Sequence, residues 1–264
     1  MGTLRQVSRR ERLREATYDE IVAISRELLT SAEELSLRAI AGRMGMTAPA
    51  LYRYVGSYQE LVDLVAFEID KAVTAGFAET AAELPEEDVA GRLIVSAVAF
   101  RRWALTRPRE FSIVFTNPVA EPSADPSCVR REALTQATSG HYFNGLLTEL
   151  WATRGYERPS LEDLPPAIRE AVLDPLIPAS VDEIPAEDRG LLWVFMRGWT
   201  ALYGVVALEV HGHMDPRIIA SGEMFVASML AFAPQLGLTD DLPRLEALMR
   251  EHLARGPAAV PATG

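Results

Sequence analysis

The chain has little of the chemistry that enzymes and secreted proteins rely on. Its 264 residues include one cysteine, Cys128, so no internal disulfide can form and a reducing cytoplasm is expected. Lysine also occurs once, at Lys71, and there is no G-x-x-x-x-G-K, G-x-G-x-x-G or G-x-S-x-G loop. None of the four histidines lies in a catalytic or metal-ligating motif. The sequence therefore predicts no catalytic residue, no metal site and no cofactor.

Long apolar runs and period-two alternation are also missing. The most apolar stretch, from Leu191 to Val210, carries Arg197 and Glu209, and the amino terminus has no apolar signal region, so neither membrane insertion nor secretion is expected. Apolar residues make up 48% of the chain, which is enough for a sizeable core. They recur at helical spacing between proline-containing turns, and this pattern predicts an all-α fold.

Residues 36–61, SLRAIAGRMGMTAPALYRYVGSYQEL, contain the signals for two short helices. Ser36 is a good N-cap for the first helix, and Gly45 is expected to end it. Thr47 can cap the second helix, where Pro49 is tolerated in the first turn and Leu51 and Val55 form an apolar face. Two short helices around a glycine turn have the form of a helix-turn-helix, although an ordinary helical hairpin has the same spacing.

The second helix favours DNA binding because of what it exposes. Tyr52, Arg53 and Tyr54 are large side chains with polar tips, suited to phosphates and base edges. The formal net charge of −11 does not exclude this, since residues 1–60 hold nine arginines against eight acidic residues and salt screens distant charge. Within them, Arg5 to Arg14 form either a flexible basic arm for phosphates or a solvated, disordered tail.

The run from Tyr18 to Val65, above all IAGRMGMTAPALYRYVGSYQEL, resembles the DNA-binding region of the TetR family of bacterial transcriptional repressors. The resemblance implies a three-helix DNA-binding domain over residues 1–60, joined by a long helix to a larger ligand-binding and dimerisation domain over residues 61–254, with a flexible tail at 255–264. It also implies a double-stranded DNA operator as partner. The positions expected to face DNA are Ser36, Arg38, Thr47, Ala48, Pro49, Tyr52, Arg53, Tyr54 and Tyr58.

The segment GLLWVFMRGWTALYGVVALEV, residues 190–210, carries two apolar stripes and so needs two packing partners. One partner is the domain core. The other is either a second copy of the chain, as in the four-helix bundle of many TetR-like dimers, or a further helix of a large monomer. RGWTALYG is similar to a tryptophan-histidine-glycine signature of one TetR subgroup, with Trp199 and Gly204 matching and Tyr203 standing where histidine is usual.

Aromatic residues recur in the larger domain and predict an apolar cavity for an unidentified small-molecule effector, with Arg101 or His141 as polar anchors. The alternative is that each is a core residue. The candidates are Phe100, Trp103, Phe111, His141, Tyr142, Trp199 and Tyr203. Together these features predict a homodimeric, ligand-responsive DNA-binding regulator in the cytoplasm. A helical ligand-binding or scaffolding protein that does not read DNA is the alternative.

Overall fold

The computed structural model describes residues 8–31, 33–116, 139–174 and 184–256, so Cys128 lies outside the described residues. The described residues form helices and no strand, which confirms the predicted all-α class. The first six helices are α1 (Arg9–Thr30), α2 (Leu37–Arg43), α3 (Ala48–Leu51), α4 (Tyr58–Ala81), α5 (Val89–Thr106) and α6 (Pro108–Phe115). The next six are α7 (Ser139–Arg154), α8 (Pro166–Leu173), α9 (Gly190–Val210), α10 (Pro216–Ser221), α11 (Glu223–Phe232) and α12 (Leu242–Ala254).

These helices belong to two compact units. The first unit holds the described residues up to Ile69 together with 109–116, and the second holds the remainder. In the first unit, α1 packs against α2 and α2 against α3. In the second, α5 packs against α7, α9 and α12, and α9 packs against α11. The chain passes between the units within α4 and again after Pro108, the first residue of α6.

The start of α1 corrects the prediction of a basic arm. Ser8 Oγ accepts a hydrogen bond from the Glu11 amide (3.2 Å), and the Glu11 carboxylate accepts one from the Ser8 amide (2.7 Å). This capping box satisfies two otherwise unpaired donors, so the helix begins at Arg9. Residues 9–14 are therefore helical, and Arg5 lies outside the described residues.

The caps around α2 and α3 agree in part with the sequence signals. Ser36 Oγ accepts from the Ala39 amide (3.2 Å), and Gly45 adopts φ of +64°, which confirms both predicted ends of α2. Thr47 occupies the N-cap position of α3, but its side chain accepts no capping hydrogen bond, so that predicted cap was wrong.

At the start of α4, Ser57 Oγ accepts from the Glu60 amide (3.0 Å). The Glu60 carboxylate accepts from the Gly56 amide (2.6 Å) and not from Ser57 itself. Only half of a capping box is therefore formed, because the carboxylate reaches one residue further back along the chain.

In the second unit, residues 216–232 form two helices, α10 and α11, and not one continuous helix. The break is at Gly222, which is buried and has φ of +71°. A side chain there would bring its Cβ within 3.2 Å of Leu253 Cδ1 and 3.6 Å of the Arg101 guanidinium. The position therefore requires glycine for both its backbone conformation and its close packing.

Helix α9 is long and apolar enough to cross a membrane by length and composition alone, a test that core helices of soluble proteins also pass. It packs against α5, α8 and α11 within the second unit. It also carries the buried carboxylate of Glu209, which is paired with Arg101. These contacts are those of a core helix.

We predict that Gly222→Ala lowers the free energy of unfolding by about 1 to 2 kcal/mol, since alanine is strained at positive φ. The matched control is Gly145→Ala in α7, an exposed site with nothing within 4 Å of the added Cβ, where alanine should stabilise the helix by about 0.5 to 1 kcal/mol. Urea denaturation at one fixed protein concentration measures both. Equal effects of the two variants would contradict the assignment of Gly222 as a special position.

We also predict that Ser36→Ala destabilises the protein by about 1 kcal/mol through loss of its cap, whereas Thr47→Ala has almost no effect on stability. Both residues precede short helices of the first unit, but only Ser36 makes the capping hydrogen bond. The same denaturation experiment, without DNA, compares them. A larger loss for Thr47→Ala would show that the hydroxyl caps α3 in solution.

Candidate functional site

Residues 47–55, here called the reading segment, consist of α3 and the turns that follow it. Hydrogen bonds from the Tyr52 amide to Ala48 O (3.1 Å) and from the Val55 amide to Leu51 O (3.2 Å) continue the helical path beyond α3. Leu51 and Val55 are almost completely buried, at 0% and 1% exposure. The reading segment is therefore fixed to the first unit by one face.

The opposite face presents four of the nine predicted DNA contacts to solvent. Thr47, Pro49, Tyr52 and Arg53 are exposed, with Tyr52 at 51%, and Ala48 is half-buried. Each exposed side chain is free to meet a groove or a phosphate, and Ala48 can offer only its methyl group.

The arginines near the reading segment differ in whether they form ion pairs. Arg43 is bound to Glu27 (3.2 Å) and Glu33 (2.6 Å) on the protein surface. Arg38 and Arg53 are exposed and make no ion pair with any described residue. Their charges are thus uncompensated locally, which suits them to phosphates or to guanine edges.

Three other predicted residues are half-buried. Ser36 is engaged as the cap of α2, and the ring of Tyr54 packs edge-on against Tyr18 of α1, with 6.0 Å between centroids. Tyr58, the first residue of α4, is partly buried, and this burial together with the nearby Glu34 carboxylate raises the pKa of its hydroxyl. Tyr58 is therefore neutral and can donate a hydrogen bond, but it carries no positive charge.

In the second unit, aromatic side chains form one connected cluster. Five of the predicted ligand residues belong to it: Phe100, Trp103, Tyr142, Trp199 and Tyr203. Phe77 of α4 and Phe143 of α7 complete it, each within 6.4 Å of several neighbouring ring centroids. Sequence reasoning missed these two, although Phe77 continues the apolar face of α4 and would have been found by following that face.

The two remaining predicted ligand residues lie elsewhere. Phe111 belongs to α6 in the first unit, where its ring contacts Phe115 at 5.3 Å, and His141 is exposed. Within the cluster, the three rings with partial exposure are Tyr142, Trp199 and Tyr203, and Trp199 stacks on Tyr203 at 5.7 Å with a 20° angle between the ring planes. We name these three the open rings.

Arg101, the other polar anchor considered from the sequence, is fully occupied by structural bonds. Its guanidinium forms a bidentate pair with Glu209 (2.6 and 3.1 Å) and donates to the Ile219 carbonyl (2.6 Å). It also lies over the ring of Phe225 at 5.5 Å. This bonding ties α5 to α9 and α10 and leaves Arg101 poorly placed to bind a ligand.

Apart from Arg101 and His141, the helices that carry the aromatic cluster also carry the polar side chains of Asp70, Ser96, Ser139 and Tyr142. Tyr142 and Ser96 share a hydrogen bond of 2.8 Å. One turn before Tyr142, the buried Ser139 amide donates to the Asp70 carboxylate (3.4 Å). Burial raises the pKa of Asp70 to about 7. Of these groups only Tyr142 is partly exposed, whereas Ser96, Asp70 and Ser139 are buried.

No group of three or more histidine, cysteine, aspartate or glutamate side chains is arranged to hold a metal ion in the described part of the chain. His211 caps the carboxyl end of α9, and both it and His213 are exposed.

Comparisons with known proteins show which family the chain resembles. Residues 93–233 match the family model described as "Tetracyclin repressor-like, C-terminal domain". The chain is 30% identical over 213 residues to the HTH-type transcriptional regulators Rv1816 of Mycobacterium tuberculosis and Mb1846 of Mycobacterium bovis. The alignment covers 78% of this chain and 86% of each relative.

The crystal structure of SCO4313 has a similar fold, with a TM-score of 0.53 and 24% sequence identity. The similarity covers 89% of this chain and 98% of that one. The relatives' names are those of transcriptional regulators, a class that is generally not enzymatic. The carboxyl-terminal region matches the family model, and the relatives are helix-turn-helix regulators. The chain therefore belongs to the TetR family and is a DNA-binding transcriptional regulator.

Proposed function

We propose that this regulator is a cytoplasmic repressor that binds an inverted-repeat operator as a homodimer and is released when a small molecule binds its second unit. The observation that carries the proposal is the division of the reading segment into two faces. Leu51 and Val55 are buried, while Tyr52 and Arg53 are exposed, and neither Arg53 nor Arg38 is ion-paired with a described residue. This is the arrangement that a helix needs in order to enter a major groove.

The second unit supports the homodimer. Met196 and Leu208 of α9 and Met224 of α11 are large apolar side chains that are 42%, 43% and 42% exposed. They accompany small exposed residues such as Ala227 and Ala231, which permit close approach of another helix. Two copies related by a two-fold axis would read two half-sites related by the same symmetry, hence an inverted repeat.

The ligand would bind at the open rings, whose partly exposed aromatic surface includes Tyr142, the ring that carries the hydroxyl hydrogen-bonded to Ser96. The cluster includes Phe77 on α4 and Phe100 on α5, and the chain passes between the units within α4 and just after α5. A ligand releases DNA only if it binds better to a conformation in which the half-sites do not fit. A ligand that shifts α4 or α5 could produce such a conformation.

On the side of the first unit, α6 is anchored to α1 by a buried ion pair. The Arg26 guanidinium donates to the Glu110 carboxylate at 3.0 and 3.3 Å, and the Glu110 side chain is only 3% exposed. Because α6 directly follows α5 in the chain, this pair offers a route by which movement of α5 would reach α1.

We expect Arg53→Ala to weaken operator binding by about 1 to 3 kcal/mol and to relax preference at one base pair per half-site, because arginine can bind guanine through two hydrogen bonds. The charge-matched control is Arg217→Ala, whose side chain is 91% exposed in the second unit and should leave binding unchanged. Fluorescence titration with operator duplexes mutated at each position measures both effects. Equal weakening for operator and scrambled DNA would instead make Arg53 a phosphate contact.

For the ligand site, we expect an aromatic compound selected by thermal-shift screening to raise Tm and weaken operator binding together. At a hundred times its Kd, such a ligand stabilises the fold by about 2.7 kcal/mol. Tyr203→Ala, which removes the outer ring of the Trp199 stack, should abolish both effects while operator affinity without ligand stays normal. A compound that raises Tm without changing operator affinity would show that the cluster is not an effector site.

A further inference from the structure

We propose that Arg14 of α1 is a phosphate contact that extends the DNA-binding surface beyond the reading segment, and that Tyr18 is the residue that positions it. The inference rests on the DNA binding described above. In this proposal the helix holds the Arg14 side chain at a defined place, which a disordered arm could not do.

The connection between α1 and the reading segment is a short chain of hydrogen bonds. Arg14 donates to the Tyr18 hydroxyl from Nε (3.3 Å) and from Nη2 (3.0 Å). The Tyr18 hydroxyl in turn donates to the backbone carbonyl of Tyr54 at 3.1 Å. The Arg14 guanidinium is therefore joined to the carboxyl end of the reading segment through one tyrosine oxygen.

The rings reinforce this arrangement. Tyr18 and Tyr54 meet edge to face with 6.0 Å between centroids, and the Arg14 guanidinium carbon lies 5.6 Å from the centre of the Tyr18 ring. Tyr18 is half-buried, so its ring has few alternative orientations, whereas Arg14 is exposed to solvent. A fixed ring beneath an exposed guanidinium limits where the cation can be.

The partner of Arg14 distinguishes it from the structural arginines of this chain. Arg26 and Arg101 are bound by the carboxylates of Glu110 and Glu209, which neutralise their charges. Arg14 is bound by a neutral hydroxyl and makes no ion pair with a described residue. Its full positive charge remains, and at least one of its terminal N–H groups is not used by Tyr18. An oriented, uncompensated guanidinium with spare donors is suited to a phosphate oxygen.

The alternative is that Arg14 only covers the Tyr18 ring and stabilises α1. In that case its removal would change Tm but not the salt dependence of DNA binding. Neutralising a phosphate releases a counterion, so the slope of log affinity against log salt depends on the number of such contacts. This slope separates the two roles.

The test uses the full chain and two duplexes, one from the region immediately upstream of its gene and one of the same composition with a scrambled sequence. Wild type, Arg14→Gln, Arg14→Lys, Tyr18→Phe and the double variant Arg14→Gln/Tyr18→Phe are titrated at several salt concentrations. Arg217→Gln is the charge-matched control in the second unit, and the melting temperature of every variant is recorded.

We expect Arg14→Gln to reduce the slope by about 0.9 per phosphate, or about 1.8 per symmetric dimer, on both duplexes. Affinity at about 0.1 M salt should fall by roughly tenfold to a hundredfold, as that slope implies. Arg14→Lys should restore most of the slope because it restores the charge. Tyr18→Phe should weaken binding severalfold, and adding it to Arg14→Gln should cause little further loss, since its effect acts through Arg14.

An unchanged slope for Arg14→Gln, with wild type binding normally, would overturn the phosphate contact. Fully additive losses for Arg14→Gln and Tyr18→Phe would overturn the positioning role of Tyr18. If wild type bound neither duplex, the proposed function itself would fail, an outcome that is distinct from both.

Discussion

The proposed DNA-binding surface depends on the burial of two apolar side chains beneath a helix too short to be stable alone. An isolated helix of the length of α3 would not form in water, because nucleating a helix costs more free energy than one turn of hydrogen bonds returns. Leu51 and Val55 hold it by packing into the first unit, where they are almost completely buried. Because these two residues fix the orientation of the reading segment, Tyr52 and Arg53 must face solvent.

The second unit contains a buried ion pair whose hydrogen bonds must be satisfied. Arg101 and Glu209 are both buried, and charges out of water are tolerated only when their hydrogen bonds are satisfied. Burial raises the pKa of Glu209, and the Arg101 guanidinium counteracts this by stabilising the carboxylate. The same guanidinium also donates to the Ile219 carbonyl, just before the break at Gly222. Replacing Arg101 would therefore remove the bonds to both Glu209 and Ile219. Phe100 precedes Arg101 directly in α5, so the aromatic cluster and this ion pair share one helix.

The sequence was most informative where structure depends on near neighbours. The ends of α2 and the start of α4 follow from Ser36, Gly45 and Ser57, whose effects reach only three or four residues. The capping box at Ser8 and Glu11 was also visible in the sequence, but the density of arginines suggested an arm instead.

What the sequence did not reveal depends on residues distant along the chain. The break at Gly222 is enforced by Leu253 and Arg101, and the contact between Tyr18 and Tyr54 joins residues 36 positions apart. Arg101 and Glu209, which form an ion pair, are 108 positions apart in the sequence. Only the folded chain therefore shows that Arg101 is already bonded and is a poor anchor for a ligand. Among the proposed DNA contacts, exposure could be anticipated from the helical period, but the pairing state of each arginine could not.

The most direct measurement of the central claim is hydrogen–deuterium exchange of the full chain with and without the upstream duplex. If the exposed face of the reading segment enters DNA, amides across residues 36–58 should exchange more slowly in the complex, since binding suppresses the local opening that permits exchange. A scrambled duplex should give weaker protection in the same region. Unchanged exchange across residues 36–58, together with protection confined to the second unit, would contradict the account.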